Sequence, residues 1–302
     1  MDFKTASTKT IVDGNVNSVG KLEHLRELLR SYGSCLVAYS GGVDSVFLAH
    51  VAHQELGPRA LAAIADSPSL PRRELQEALE VAERFGIPVR VVHTQEFANN
   101  EYLENPPNRC YFCKHELFTE LQPLARAEGF AVIAYGENAS DVGDHRPGAV
   151  AAGEFKVRAP LKEAGLTKQE IREYSAQLGL PTADKPQLAC LSSRIPYGEN
   201  VTEEKLRMIE QAEYVLRDRG FFDVRVRHHE LKNGQLARIE IGPTEISKMF
   251  AGDVYGAVAI EIKAIGYTHV TLDLEGYRRG SLNSVPIIFR GESKAVSSNR
   301  SP

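Results

Sequence analysis

Nothing in the 302 residues is apolar for long enough to cross a bilayer, although 42% of them are apolar and 25% charged. No membrane span or membrane partner is expected. The N-terminus stays polar from Met1 through Asn17 and lacks the apolar core of a secretory signal, so a cytoplasmic location is expected. Cationic excess is missing too. Thirty-six Lys and Arg against 40 Asp and Glu give a formal charge of −4, which offers no global pull toward RNA or DNA, and no nucleic-acid partner is expected. Cysteine is scarce: four in a chain of this length do not suggest a disulfide framework, and two are spaced Cys110-x-x-Cys113, which suits metal binding or redox chemistry. Internal repeats and low-complexity segments are also lacking.

What is present has the rhythm of an α/β fold. The length exceeds the usual span of one hydrophobic core, so two domains are expected. Residues 1–19 have no apolar periodicity and read as a flexible arm. From Lys21, Leu22, Leu25, Leu28 and Leu29 have helical spacing, and Cys35–Tyr39 reads as a short buried strand. Further strands are expected at Ala60–Ala65, Val89–His93 and Ala131–Tyr135. They alternate with helices at about Ser45–Ala52, Pro71–Phe85 and Tyr111–Glu128, and at Thr167–Leu178, where Thr167 can cap and Gly179 can terminate. This pattern implies a parallel sheet covered on both faces, over residues 20–196. After Pro196 the rhythm changes. A helix capped by Thr202 runs to about Arg219, then Val224–Arg227 and Leu236–Ile241 alternate polar with apolar, implying a smaller α+β domain over 197–284. Asn233-Gly234 signals a turn between those strands in a loop longer than a minimal hairpin. Residues 285–302 read as a tail.

Ser40-Gly41-Gly42-Val43-Asp44-Ser45 lies between the first strand and a helix. Two glycines let the backbone turn tightly and approach phosphate oxygens, amide groups and the helix N-terminus supply positive potential, and Ser40 and Ser45 add hydroxyls. Asp44 would be repelled by bare phosphate, so it is expected to hold Mg2+. An ordinary strand-to-helix turn with a capping Asp is the plainer reading. The run differs from the Lys-containing P-loop and from Gly-x-Gly-x-x-Gly. It resembles the PP-loop ATP pyrophosphatase superfamily, of adenine nucleotide alpha hydrolase-like fold, in which ATP is cleaved between its α and β phosphates and AMP is placed on a substrate oxygen. That resemblance assigns ATP binding to Ser40, Gly41, Gly42, Asp44 and Ser45. It also gives the nucleoside to Asp66 and Ser67 at the end of the second strand.

Three of the four cysteines fall in two polar segments, Asn108–Lys114 and Lys185–Arg194, whereas Cys35 lies in an apolar strand and reads as core. Cys110 and Cys113 can reach one metal and Cys190 can be a third ligand, leaving one iron of a four-iron cluster without a protein partner. A zinc site and unliganded packing cysteines remain alternatives. Lys185 and Arg194 are expected to depress the Cys190 thiol. Arg225 and Arg227 alternate with valines and leave the same strand face, as Arg238 and Glu240 do, so one face is largely cationic and suits a phosphate; a solvated cross-strand ladder is the alternative.

From about Gly33 to Asn283 the chain resembles the LarE family of ATP-dependent sulfurtransferases. The matching stretches are Ser40–Ser45, Asp66–Pro71, Gly143-Asp144-His145-Arg146-Pro147-Gly148, Ala159–Thr167 and Asp184–Gly198. The resemblance implies adenylation of the carboxylates of pyridinium-3,5-biscarboxylic acid mononucleotide and replacement of their oxygen by sulfur, for nickel-pincer nucleotide synthesis. It implies two sulfur sources: a sacrificed cysteine at Cys190, or a [4Fe-4S] cluster on Cys110, Cys113 and Cys190, which the three cysteines favour. It assigns the substrate phosphate to Arg225 and Arg227, a divalent metal to Glu213 and Glu245, and a homo-oligomer, a hexamer, to the assembly. For Glu213 a solvated helix carboxylate is the plainer reading. A PP-loop tRNA thiolase, an ammonia-using synthetase and a degenerate nucleotide-binding scaffold are the competing functions.

Overall fold

The computed structural model describes residues 13–141, 147–186 and 189–278. Residues 1–12 of the expected arm, the Gly143–Arg146 stretch, Gln187, Leu188 and the tail lie outside the described residues. Helices are α1 (Asp13–Tyr32), α2 (Val43–Leu56), α3 (Arg72–Arg84), α4 (Asn100–Leu103), α5 (Arg109–Glu128), α6 (Pro147–Glu154), α7 (Pro160–Glu163), α8 (Lys168–Gln177), α9 (Glu203–Arg217) and α10 (Val254–Ile265). Strands are β1 (Cys35–Tyr39), β2 (Ala60–Asp66), β3 (Val89–His93), β4 (Val132–Tyr135), β5 (Val224–Leu231), β6 (Gly234–Ile241) and β7 (His269–Leu272). No described helix is long and apolar enough to cross a membrane.

The first four strands form a parallel sheet of order β3-β2-β1-β4. Its central strand β1 is buried at all five positions, as its unbroken apolar run requires, and α1, α2 and α8 cover one face while α5 and α6 cover the other. Chain order steps from β1 through β2 to β3, then returns to the far side of β1 for β4. The switch point therefore falls between β1 and β4, where ligands of open α/β sheets bind beyond the carboxyl ends.

The last three strands make a second sheet, β5-β6-β7, with its own core of α9 and α10 residues such as Ala212, Leu216, Val258 and Ile262. β5 and β6 pair antiparallel with Leu231 opposite Gly234, so Lys232-Asn233 is a two-residue hairpin turn and not the longer loop expected. Gly234, at φ 114°, has no room for a side chain: a Cβ there would lie 1.9 Å from Thr268 Oγ1. Helix α1 reaches back to Asp13, into the expected arm, while α8 and α9 carry their predicted caps, Thr167 in a full capping box with Glu170 and Thr202 accepting from the Lys205 amide. Between the two sheets, Tyr102, Leu191, Ile195, Leu206 and Ile209 form a small buried apolar cluster.

Candidate active site

β1 ends at Tyr39, and Ser40–Gly42 carry the chain into α2 at the switch point. Gly41 sits at φ 71°, and a Cβ on it would come within 2.5 Å of Ala78 Cβ on α3, so both dihedral and space demand glycine. Ser45 closes the loop on itself: its Oγ accepts from the Ser40 amide at 3.1 Å and donates to Gly42 O at 3.1 Å. β4 presses on the loop from the other side, since a Cβ on Gly136 would stand 3.1 Å from the Ser45 amide nitrogen. Asp44 opens the first turn of α2, with Oδ2 2.5 Å from Lys168 Nζ and a buried Oδ1 that has no hydrogen-bond partner among the described residues. Burial raises the Asp44 carboxyl pKa, and Lys168 offsets only part of that rise. An orphaned carboxylate oxygen beside the loop fits a divalent cation.

Asp66 and Ser67 leave β2 beside a cleft of ≈ 480 Å³ that Arg72, His93, Arg207 and Glu210 also line. The Asp66 carboxylate is engaged by Arg72 and stands 3.6 Å from His93 Nδ1, whereas the Ser67 hydroxyl accepts from the Ser69 amide at 3.0 Å. Three buried hydroxyls follow, Ser69, Tyr102 and Ser192, each within 2.9 Å of the other two, and Leu191 N donates to Ser69 O at 2.8 Å. The Cys190 segment is thereby anchored to the end of β2.

Cys110 and Cys113 lie in the first two turns of α5, and Cys190 precedes the short 3-10 helix Leu191–Arg194. The three thiols are electrostatic neighbours. Burial, then the charge of Cys190, pushes the Cys113 thiol up to about 12; Cys110 is exposed as a residue, yet protein around its sulfur and again Cys190 raise it. As they lie, no three His, Cys, Asp or Glu among the described residues form a group that could hold a metal ion. Of the two cations expected to act on Cys190, Lys185 is engaged elsewhere, by Glu74 and Glu77, whereas Arg194 binds Glu213, donates to Cys190 O at 3.0 Å and is in electrostatic contact with Cys190. Arg109 is a further cation at the sulfur: its Nη2 comes within 4.0 Å of Sγ while Nη1 donates to Ser192 O at 2.8 Å. Cys35 is fully buried, as expected for core.

Arg225 and Arg227 do share a face of β5, opposite Glu240 and Arg238 of β6, but that face is not solvated: Arg225 is 4% exposed, Arg227 5% and Glu240 1%. The Ser193 segment covers it. Arg227 donates to Ser193 O and to Glu240 Oε2, both at 2.8 Å, and the Arg225 guanidinium lies 4.7 Å from the Tyr277 ring centroid. Glu213 is likewise not a solvated carboxylate, being 3% exposed and bound to Arg194. Glu245 accepts the Phe222 and Asp223 amides and pairs with Lys248. Sequence reasoning missed Lys168, Gly136, Arg109 and the three-hydroxyl cluster, because each acquires its role only through a partner far away in the chain.

A glycine-containing strand-to-helix loop at the switch point of a parallel sheet, with an acidic residue whose one buried oxygen has no partner among the described residues, fits an α/β enzyme of the PP-loop ATP-using class. No family model matches the chain. It is 32% identical over 248 residues, 82% of its length and 88% of the relative's, to pyridinium-3,5-bisthiocarboxylic acid mononucleotide synthase of Lactiplantibacillus plantarum. It is 47% identical over 265 residues to an uncharacterised protein of Synechocystis sp., covering 88% of this chain and 97% of that one. Over 213 residues, 57% of this chain and 54% of the relative, it is 29% identical to the tRNA-specific 2-thiouridylase MnmA of Azorhizobium caulinodans. The chain belongs to the pyridinium-3,5-bisthiocarboxylic acid mononucleotide synthase family, LarE, and is an enzyme of the sulfurtransferase kind.

Proposed function

We propose that this enzyme adenylates a carboxylate of pyridinium-3,5-biscarboxylic acid mononucleotide and replaces its oxygen with sulfur. The substrate carboxylate attacks the α phosphorus of ATP and pyrophosphate leaves. A sulfur nucleophile then adds to the acyl-adenylate carbonyl and AMP departs, leaving a thiocarboxylate. The observation that carries this reading is the attachment of the Cys190 segment to the end of β2 through Leu191 N and Ser69 O, which brings a sulfur-bearing loop to the strand ends that also bear the phosphate loop. Ser40, Ser45 and the amides around Gly41 and Gly42 grip the pyrophosphate moiety, and Asp44 Oδ1 is the oxygen that would hold Mg2+, which would supply charge neutralisation for pyrophosphate. Arg225 and Arg227 would take the substrate phosphate once the Ser193 segment that covers them moves aside.

Cys110, Cys113 and Cys190 would hold a [4Fe-4S] cluster, which supplies an iron able to carry sulfide. Cys190 lies near enough to both Cys110 and Cys113 to raise their thiols, and this neighbourhood of three cysteines is the donor set that supports it. Protein prepared without oxygen, given ATP, Mg2+ and the mononucleotide, is expected to release pyrophosphate and AMP only when the mononucleotide is present. Pyrophosphate release driven by tRNA instead would overturn the assignment. Iron and sulfide analysis of the same protein separates the sulfur sources: an iron-free protein whose Cys190 has lost the elements of hydrogen sulfide by mass after one turnover would establish the sacrificial route.

A further inference from the structure

Beneath Cys190 lies an ionic group that the proposed chemistry leaves unused. Arg194 is 2% exposed and spends its whole guanidinium inside the protein. Nε and Nη2 hold the two carboxylate oxygens of Glu213 at 2.8 and 3.1 Å, while Nη1 donates to Ala189 O at 2.7 Å, Cys190 O at 3.0 Å and Ser193 Oγ at 3.1 Å. Glu213 comes from α9, in the second unit, and its Oε1 also accepts the Val226 amide of β5 at 3.1 Å. Burial alone would raise the Glu213 carboxyl; Arg194 first, then Arg225 and the Val226 amide, hold it below the ordinary range, and the pair is charged.

We propose that Arg194 and Glu213 are positioning residues that fix the Cys190 backbone from the second unit, and that Glu213 is committed to this pair and not to a metal ion. This rests on Cys190 being the sulfur centre. Both oxygens of Glu213 already accept charge-assisted hydrogen bonds, so a cation could bind there only by displacing a buried guanidinium. Replacing a buried ion pair by apolar residues of similar volume is often neutral or stabilising, so buried charge is by itself weak evidence of a stabilising role. Geometry accounts for the pair: the planar fork reaches a carboxylate on one side and two successive carbonyls on the other, a span that no apolar residue reproduces. Arg227, donating to Ser193 O, adds a second link from β5 to the same loop. The residues assigned to the substrate phosphate and the residue bearing the sulfur are thus held in one rigid network.

The full-length protein as Glu213→Gln, Arg194→Lys and the double variant Arg194→Met/Glu213→Leu tests this. Three quantities are read: the iodoacetamide alkylation rate of Cys190 by peptide mass, the sulfur-transfer and pyrophosphate rates, and Mn2+ titration. Each single variant is expected to change Cys190 alkylation about tenfold and to cut sulfur transfer about 10²-fold, a loss at least about tenfold larger than that in pyrophosphate release. The double variant, with no unpaired buried charge, is expected to stay folded by circular dichroism and to show the same alkylation change. Unchanged alkylation in all three variants, or Mn2+ affinity that falls in Glu213→Gln while alkylation holds, overturns the proposal. Should the wild-type protein make no pyrophosphate with the mononucleotide, the functional reading fails on its own, and the alkylation rates still decide whether the pair positions Cys190.

Discussion

At Gly41 two constraints act on one residue. Its φ of 71° costs an L-residue about 1–2 kcal/mol, and the 2.5 Å approach of an added Cβ to Ala78 must push α3 away from the loop. Gly41→Ala is expected to lower stability by at least about 1 kcal/mol in urea denaturation and to abolish pyrophosphate release. Asp44 should behave oppositely. Its carboxyl is raised by burial, so the charged form is less favourable in the folded protein than in the unfolded chain, and at neutral pH that charge costs stability. Asp44→Asn is expected to raise the urea midpoint of the nucleotide-free protein while eliminating Mg2+-dependent pyrophosphate release. A lower midpoint would mean that the Lys168 pair outweighs burial. The loop was legible in the sequence because its chemistry is local, with residue types and spacing within six positions. Lys168, which sits against Asp44 across 124 residues, was not.

At the scale of elements, β5 shows what alternation can and cannot reveal. Val224, Val226 and His228 face the second core, and Arg225 and Arg227 leave the other side, as the period of two requires. The pattern says which residues share a face but not what covers it, and here the cover is the Cys190 loop, about 30 residues earlier. His228 is the core-side exception: fully buried, with Nδ1 3.1 Å from the Tyr267 hydroxyl and Nε2 without a partner among the described residues. Burial, then Lys205, lowers its pKa from 6.5 to about 4. Below pH 6.5 the unfolded chain binds a proton that the folded protein refuses until about pH 4, so stability falls across that window as pH is lowered, by at most about 1.4 kcal/mol per unit. His228→Gln should flatten the profile between those limits when midpoints are compared at pH 7 and pH 4.5. A parallel slope in both proteins would place the acid sensitivity elsewhere. Helix α10 and strand β7 were not read in the sequence at all. Only Val258 and Ile262 of α10 are fully buried, so its many apolar residues carry no clear one-sided period.

Across the whole molecule, two sheets with separate cores must hold one site together, and contacts of unequal strength join them. Arg73 and Asp218 pair across the junction, but at 47% and 57% exposure such a pair is worth about 0–1 kcal/mol and is screened by salt. The apolar cluster of Tyr102, Leu191, Ile195, Leu206 and Ile209 is buried, so salt does not screen it, and the buried Arg194–Glu213 pair lies in the same segment. If packing dominates the coupling, the wild-type protein unfolds in one calorimetric transition, and about 1 M NaCl, with a Debye length of about 3 Å, leaves it single. Ile209 is fully buried on α9 and takes part in the joint, so Ile209→Ala removes about 2–5 kcal/mol where the two units meet. It is expected to split the transition in two, with the β5-β6-β7 unit melting first because it has three strands and two helices to cover them. One transition in Ile209→Ala that divides only at high salt would show instead that surface ion pairs couple the units, and that the sulfur-bearing loop is held to the second sheet by charge alone.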